Sequence, residues 1–478
     1  MDLSTSSPRR FLVWAAVVSG LLLAMLDQTI VGTALPAIVA DLGNPAWYVW
    51  AFTAYLVPAT VLLPVAARVS DRLGRQRVLL AGMALFVAGS SVCAVAASMP
   101  VLTGGRAVQG MGAAALEALS FLVVNELSAG ARRGAGQAAI SMVMAISFLA
   151  GPLVGGLITD HVGWRWAFLV NVPVGIGAMV LLALSLPPSF GRHESRETPL
   201  DVLGILVLTT SVGVLLLGIN RHQQLDSWTA PTAGPAVVLG LLGLVAFVRV
   251  ERYAVAPVIP LRLLTDRSTG RVLLAGAFAT TGLYACILLV PRWYQLELGA
   301  SATSSGVRVY PLLLAVLLAV NVGAVAVTRR GAVRGPLLVA GAVTLAGAAA
   351  FACLDASSPA WLPLVAMAVL GLGMGPALSG LQIALTRTTT PADLGAAMGT
   401  LLMGRQVIGV VALAVADALY SSRIPEGSAV ATGHGVAWVA GAGAVVAALA
   451  LLGLPRRLPD PPAGPMQAPA DAPGVRAA

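Results

Sequence analysis

Lysine is absent from the 478 residues, and charged residues of all kinds make up only 10% of the chain. Cysteine is also rare, and Cys93, Cys286 and Cys353 each lie singly in an apolar segment. Isolated cysteines of this kind indicate buried small side chains and offer no disulfide framework or metal-binding pair. The four histidines are scattered as well, so we expect neither a metal nor a cofactor. Without a G-x-x-x-x-G-K-[ST] loop, ATP hydrolysis within this chain is excluded.

Long apolar runs dominate what is present. Hydrophobic residues make up 58% of the chain, and the mean hydropathy is +0.88, which is typical of a polytopic membrane protein. Runs of about 20 apolar residues recur along the chain, each long enough to cross a bilayer as a helix. The pattern predicts fourteen membrane spans, at residues 11–36, 46–66, 78–98, 101–124, 137–159, 166–186, 201–219, 234–250, 271–291, 307–327, 335–354, 361–383, 395–418 and 435–454.

Arginine placement predicts the orientation. The net charge of +9 does not indicate nucleic-acid binding, because the arginines sit in short clusters at span ends. With the N-terminus inside, twenty-one arginines fall in inner loops and five, including Arg292, in outer ones. This bias predicts a multi-pass protein of the cytoplasmic membrane with both termini cytoplasmic. Asp417, near the outer end of span 13, is expected at the membrane interface.

The chain shows signs of two related halves. "RVSDRLGRQRVLLAG" (68–82) resembles "VTRRGAVRGPLLVAG" (327–341), and such repeats are common in secondary transporters. We therefore predict a six-helix bundle in residues 1–186, a linker with two additional spans in 187–270, and a second six-helix bundle in 271–457. The tail, 458–478, is rich in proline and alanine and is expected to be disordered.

The turn between spans 2 and 3 carries charges at a specific spacing. Asp71, Arg72, Gly74 and Arg75 form a D-R-x-G-R pattern, in which the glycine permits a tight reversal. We expect Asp71 to cap a helix end and the arginines to pair with neighbouring helices, so that the turn acts as a cytoplasmic gate. An ordinary basic turn at the inner membrane face is the simpler alternative.

Several motifs together resemble those of the major facilitator superfamily, in particular its fourteen-helix drug:proton antiporter branch. The stretches that carry the resemblance, in chain order, are "LDQTIVGTALP", the Asp71 turn, "GRAVQGMGAAAL", "GPLVGG", "GWRWAFLVNVPVG" and "YQLELGASATSSGVRVYP". They cover nearly the whole chain. The resemblance implies a fold of two six-helix bundles plus two extra central spans. It also implies an antiporter motif on span 5, formed by Gly151, Pro152, Gly155 and Gly156, although small-residue packing alone would also explain these residues.

Three charges within spans are candidates for proton coupling. Arg106 lies roughly 8 Å and Asp27 roughly 14 Å below the outer ends of their spans, so a direct or water-bridged pair is plausible. Glu117 follows Arg106 by eleven residues and returns to nearly the same helix face. The resemblance favours Asp27 over Glu117 as the coupling acid, because Asp27 belongs to a family motif. For Glu117, hydrogen bonding to a serine or contact with a wet cavity is the structural alternative.

Other residues within spans are weaker candidates for a substrate cavity. Arg405 on span 13 is expected to line the cavity or pair with Glu117, and a structural role is equally open. Aromatic or polar side chains at Tyr55, Gln109, Phe148 and Asn321 complete this set.

The resemblance implies a monomeric, proton-coupled exporter of amphipathic drugs or antibiotics, working by alternating access in the lipid bilayer. A dedicated exporter of one endogenous metabolite is an alternative within the same class. A non-transporting membrane sensor is an alternative from another class. An enzyme is the weakest hypothesis, because the sequence holds no catalytic constellation.

Overall fold

The computed structural model describes residues 7–127, 133–188, 190, 201–225, 229–230, 232–255, 257–355, 357–390 and 393–458. Within these ranges the regular structure is helical, and thirteen helices are long and apolar enough to cross a membrane. A fourteenth span is a pair of helices bent by 45°. The predicted all-helical fold with fourteen spans is therefore confirmed. The predicted tail and most of the predicted linker lie outside the described residues.

The spans, numbered in chain order, have the following bounds: Ser7–Leu42, Tyr48–Val61 with Leu63–Leu73, Arg75–Ala94, Met99–Leu127, Arg133–His161, Arg165–Leu169 with Asn171–Ser185, Val202–Leu225, Gly234–Tyr253, Arg267–Phe278 with Thr281–Leu296, Ala302–Arg308 with Tyr310–Arg330, Arg334–Ala352, Trp361–Thr388, Leu394–Arg423 and Ser428–Leu452. The bend in span 2 follows from Pro64, which has no N–H to continue the helical ladder to Thr60.

Both halves of the chain pack their spans in the same pattern. In the first bundle, span 1 contacts spans 4, 5 and 6, span 4 contacts spans 2 and 3, and span 3 contacts span 6. In the second bundle, span 9 contacts spans 12, 13 and 14, span 12 contacts spans 10 and 11, and span 11 contacts span 14. Spans 1–6 thus correspond one by one to spans 9–14, which supports the internal repeat seen in the sequence.

Spans 7 and 8 pack against each other, and span 7 also contacts span 2 and span 13. Span 7 therefore covers one of the two seams between the bundles. On the opposite seam, span 5 of the first bundle meets span 10 of the second. The internal repeat relates these two seams to each other. Only the first of them is covered by a helix, span 7, that is not part of the repeat.

The spans alternate in direction, so their ends form two groups. We call the end that contains Asp71 and the start of span 1 the arginine-rich end, and the opposite one the far end. In the far half, the bundles are joined by hydrogen bonds from Gln295 Nε2 to the Thr33 carbonyl (2.9 Å) and from the Tyr310 hydroxyl to the Leu149 carbonyl (2.6 Å). The bundles are therefore in direct contact in the far half.

Close helix packing within the first bundle rests on glycines of span 4, which yields a matched prediction. A Cβ at Gly110 would lie 2.2 Å from the carbonyl oxygen of Tyr55, whereas a Cβ at Gly104 would meet nothing within 4 Å. Gly110→Ala should lower the free energy of unfolding by about 1–3 kcal/mol, because the backbone of span 2 must move. Gly104→Ala should raise it by about 0.5–1 kcal/mol, because alanine favours the helix. Opposite shifts in Tm of the two purified variants would support this packing, and equal shifts would contradict it.

Candidate transport site

A buried hydrogen-bond network in the first bundle centres on Asp27. This residue is only 1% exposed and Arg106 is fully buried, and the two side chains form an ion pair through Oδ2 and Nη1. The other carboxylate oxygen, Oδ1, accepts hydrogen bonds from Gln109 Nε2 at 2.7 Å and from Asn171 Nδ2 at 3.0 Å. Donors on three side chains of spans 4 and 6 therefore surround the carboxylate, and these contacts offset the cost of burying it within the bilayer.

Arg106 is held on several sides. Its Nε donates to the carbonyl oxygen of Ala51 at 3.1 Å, and its Nη1 also donates to Gln109 Oε1 at 2.8 Å. The guanidinium carbon lies 4.2 Å from the centre of the Tyr55 ring, in a cation–π contact. Tyr55 and Gln109, expected to line a substrate cavity, are thus fully buried parts of this network, because the ion pair needs their ring and amide as partners.

Sequence reasoning assigned no role to two members of this network. Asn171 on span 6 bonds Asp27 and also donates to Ser90 Oγ at 3.1 Å, while Gln109 donates to the same oxygen at 2.7 Å. Asn171 is the one amide side chain in residues 165–186, and a lone amide in an apolar span must find a buried partner. That signal was available in the sequence, whereas the position of Ser90 required the packing of span 3.

Glu117 is the second buried carboxylate, and its partners are neutral. Its exposure is 2%, its Oε1 accepts from Gln28 Nε2 at 2.8 Å, and the side chain of Gln406 also hydrogen-bonds it. Gln406 in turn accepts a hydrogen bond from the hydroxyl of Thr60. We call these four side chains, Gln28, Glu117, Gln406 and Thr60, the midplane bridge. Because Gln406 belongs to the second bundle and the other three to the first, the bridge joins the bundles near mid-membrane.

Arg405 does not pair with Glu117, although it directly precedes a member of the midplane bridge. The pairing considered from the sequence is therefore wrong, because Gln406 takes the place next to the carboxylate. The Arg405 side chain is 9% exposed, and its Nε and Nη2 are buried without a hydrogen-bond partner. The phenol of Tyr284 is near enough to interact electrostatically with both Arg405 and Glu117.

The two remaining cavity candidates lie apart from this network. Phe148 on span 5 is half-buried and packs against the core of the second bundle, so it belongs to the seam between bundles. Asn321 on span 10 is exposed and makes no hydrogen bond within the described part of the chain. Neither takes part in the hydrogen bonds of the Asp27 network.

The turn after span 2 is held by charges, but not as expected. Asp71 caps no helix: it lies in the last turn of span 2, and its carboxylate is 3.9 Å from the guanidinium of Arg75. Arg75 is buried and forms a 2.6 Å ion pair with Glu126 at the end of span 4, a partner that sequence reasoning missed. Gly74 adopts a φ of +91°, and a Cβ there would lie 2.3 Å from the Pro188 carbonyl oxygen. Arg72 is exposed.

The glycines of the span 5 motif permit two close helix contacts. Cβ atoms at Gly151 and Gly155 would collide with Thr29 and Ile30 of span 1, inside the first bundle. A Cβ at Gly156 would lie 2.5 Å from the Cα of Thr303, in the second bundle. The helix runs unbroken through Pro152, whose carbonyl oxygen would lie 2.4 Å from a Cβ at Gly306. Gly156 and Pro152 thus lie at the seam between bundles.

A second buried ion pair lies in the second bundle. Arg292 and Asp417 are 2.6 Å apart, and they are 9% and 5% exposed. The guanidinium lies 4.5 Å from the centre of the Tyr48 ring and 4.4 Å from that of Tyr420. The expectation that Arg292 lies in a loop is therefore wrong, because span 9 extends to Leu296 and Asp417 neutralises the arginine within it. Among the described residues, no cluster of His, Cys, Asp and Glu suits a metal ion.

Comparison with known proteins agrees with this architecture. The family model described as Major Facilitator Superfamily matches residues 17–413. The chain is 31% identical to the multidrug transporter protein MdtP of Bacillus subtilis, over 85% of this chain and 75% of that protein. It is 30% identical to a multidrug resistance protein B homolog of Mycobacterium tuberculosis, over 88% of this chain and 78% of that protein.

Among solved structures, a peptide transporter, POT, in complex with sulfate superposes with a TM-score of 0.66. The two chains are 15% identical, and the match covers 95% of each. At this identity the likeness concerns the fold alone. The chain is thus a multi-pass cell membrane protein that belongs to the major facilitator superfamily.

Proposed function

We propose that this protein is a proton-coupled antiporter that exports amphipathic drugs or antibiotics across the cytoplasmic membrane by alternating access. The observation that carries the proposal is the midplane bridge, in which a buried carboxylate connects the two bundles. Alternating access requires contacts between the bundles that can be made and broken, and proton coupling requires that a proton act on such a contact. The relatives that are named as multidrug transporters support export rather than uptake.

The two carboxylates are suited to different roles. Asp27 is neutralised by Arg106 and accepts two further hydrogen bonds, so adding a proton there would break the ion pair. Glu117 has only amide partners, which can accommodate either the carboxylate or the acid. We therefore propose Glu117 as the proton carrier and the Asp27–Arg106 pair as the fixed support that positions span 4.

Protonation would change the bridge in a defined way. The charged carboxylate of Glu117 can accept hydrogen bonds from amides of both bundles at once. The acid has one oxygen converted to a donor, so one of the two amide donors must turn or lose its partner. A proton that enters from the outer side and binds Glu117 would thus weaken the contact between the bundles. Its release to the inner side would restore the contact in the other half of the cycle.

The test uses everted membrane vesicles with an imposed pH gradient. Two pyrene derivatives of opposite fixed charge, pyrene sulfonate and (pyrenylmethyl)trimethylammonium, serve as amphipathic probes. The wild-type protein should accumulate at least one probe, and a protonophore should abolish the accumulation. Glu117→Gln should lose the effect of the gradient while still exchanging probe across the membrane, because only the titratable group is removed.

Glu297→Gln is the matched control, since Glu297 is an exposed acid beyond the far end of span 9. It should behave as the wild type. Gradient-driven accumulation that persists in Glu117→Gln would rule out Glu117 as the carrier. Accumulation of neither probe under any gradient would refute proton-coupled export of amphipathic compounds.

A further inference from the structure

Four arginines are buried within the described part of the chain, and one of them differs from the others. Arg75 pairs with Glu126, Arg106 with Asp27 and Arg292 with Asp417. All four have side-chain nitrogens that are buried without a hydrogen bond, but Arg405 alone among them has no carboxylate partner. The protein therefore neutralises three of its buried guanidinium groups and leaves the fourth uncompensated. A buried cation without a partner is costly and marks a functional site in a membrane protein.

The position of Arg405 shows which kind of partner can reach it. It lies eleven residues from the start of span 13, roughly 17 Å along the helix from the arginine-rich end. That depth is near the middle of a bilayer whose hydrocarbon core is about 30 Å thick, so a lipid headgroup is too far away to neutralise it. A partner must instead arrive between the bundles, where the neighbouring Gln406 contacts Thr60 and Glu117.

The surroundings favour an organic anion. Tyr284 on span 9 interacts electrostatically with Arg405 and with Glu117, so its phenol stands near both groups. Its ring also packs at Gly409, one turn along span 13, where a Cβ would lie 2.5 Å from the ring. A guanidinium offers paired donors that match a carboxylate or sulfonate, and an aromatic ring beside it suits the apolar part of an amphipathic compound.

We propose that Arg405 binds the acidic group of the transported compound, so that the substrates of this protein are amphipathic organic anions. This inference rests on the proposed function and specifies its substrate class. Exchange of one such monoanion for one inward-moving proton carries two charges in the same electrical direction. A membrane potential that is negative inside therefore drives both movements, whereas exchange of a monovalent cation for a proton is electroneutral.

Binding measurements test the inference without requiring transport. The full chain is placed in nanodiscs of zwitterionic lipid, and energy transfer from tryptophan to each pyrene probe is titrated against empty nanodiscs. Wild type should bind pyrene sulfonate at least about tenfold more tightly than the ammonium probe. Arg405→Gln should abolish this preference, and Arg405→Lys should retain part of it, because the charge remains while the paired donors are lost.

Arg423→Gln is the control, because Arg423 is an exposed arginine on the same span that pairs with Glu426. It should preserve the preference. Without probe, Arg405→Gln should not lower Tm, since the side chain gives up no hydrogen bond to the protein. The inference is overturned if wild type shows no preference for the sulfonate or if Arg405→Gln keeps the preference. It is also overturned if Arg405→Gln has a lower Tm than wild type, which would indicate a structural role.

The transport assay separates the two proposals. If the ammonium probe alone is accumulated in response to the pH gradient, proton-coupled export stands and the anion site is refuted. If neither probe is accumulated but sulfonate binding depends on Arg405, the anion site stands and the proposed function fails. If the sulfonate is accumulated, an added potential of the correct sign should increase its rate, and an unchanged rate would count against the anion as substrate.

Discussion

Asp27→Ala is expected to lower the free energy of unfolding by about 3–5 kcal/mol, among the largest effects of any single substitution in this chain. Asp27 is the carboxylate on which three donors converge, and its loss leaves the guanidinium of Arg106 without a counter-charge inside the bilayer. The remaining contacts of Arg106, to the Ala51 carbonyl and the Tyr55 ring, do not supply that charge. The measurement is the unfolding transition of the purified protein in detergent, followed by Tm or denaturant titration.

A double variant tests whether this loss comes from an uncompensated charge. Arg106→Gln alone should also destabilise, because Asp27 is then the buried ion. Combining Asp27→Asn with Arg106→Gln should recover much of the loss, since neutral amides can still hydrogen-bond Gln109 and Asn171. Additive losses would show that the two side chains act independently, contrary to the geometry. Glu117→Gln, whose partners are amides, should change the free energy of unfolding by less than about 1 kcal/mol.

The pairing of Asp27 with Arg106 shows how much of the site could be predicted. The helical rise per residue gives the depth of each charge along its span, and it placed both in the same half of one bundle. A buried charge also requires a partner. The rest of the network depends on rotation of helices about their axes, which apolar patterning does not specify when a span is hydrophobic all round. For that reason Ser90 was missed, and Tyr55 and Gln109 were expected to face a cavity.

The fold itself was more predictable than the site. The lengths of the apolar runs predicted fourteen spans, because each run must form a helix to satisfy its backbone hydrogen-bonding groups within the membrane. Charged side chains near span ends were the main source of error. Arg292 was assigned to an outer loop because the predicted span 9 ends at residue 291, and only the packing of span 9 against span 13 brings it to Asp417.

Gly32, in the "LDQTIVGTALP" stretch, has a packing role in the structure. It lies on span 1 opposite Ile287 of span 9. A Cβ there would be 3.3 Å from both the Cγ2 and the carbonyl oxygen of that residue. The glycine therefore allows spans 1 and 9 to approach across the bundle boundary. A larger side chain would meet span 9.

Gly156→Leu is expected to reduce transport at least about tenfold while the protein still folds, because it blocks closure of the far end. The side chain would meet the backbone of Thr303 and Ala302, which cannot move aside as a flexible side chain can. Asp160, one turn further along span 5, accepts hydrogen bonds from the N–H groups of Ala302 at 2.9 Å and Thr303 at 2.8 Å. Separation of spans 5 and 10 at Gly156 would break these bonds as well and leave the far end open.

Spin-label distances between cysteines introduced at the exposed Val162 and Leu298 would report this opening, in a background lacking the three native cysteines. The distance should lengthen in Gly156→Leu and stay unchanged in Gly177→Leu, where a Cβ meets nothing within 4 Å. An unchanged distance with normal transport in Gly156→Leu would mean that span 5 tolerates the added volume within its own bundle. A lengthened distance together with lost transport would support a role for the span 5 motif in closing the far end. Gly156 lets the backbones of spans 5 and 10 touch, and that contact closes one side of the membrane while the other side exchanges its ligand.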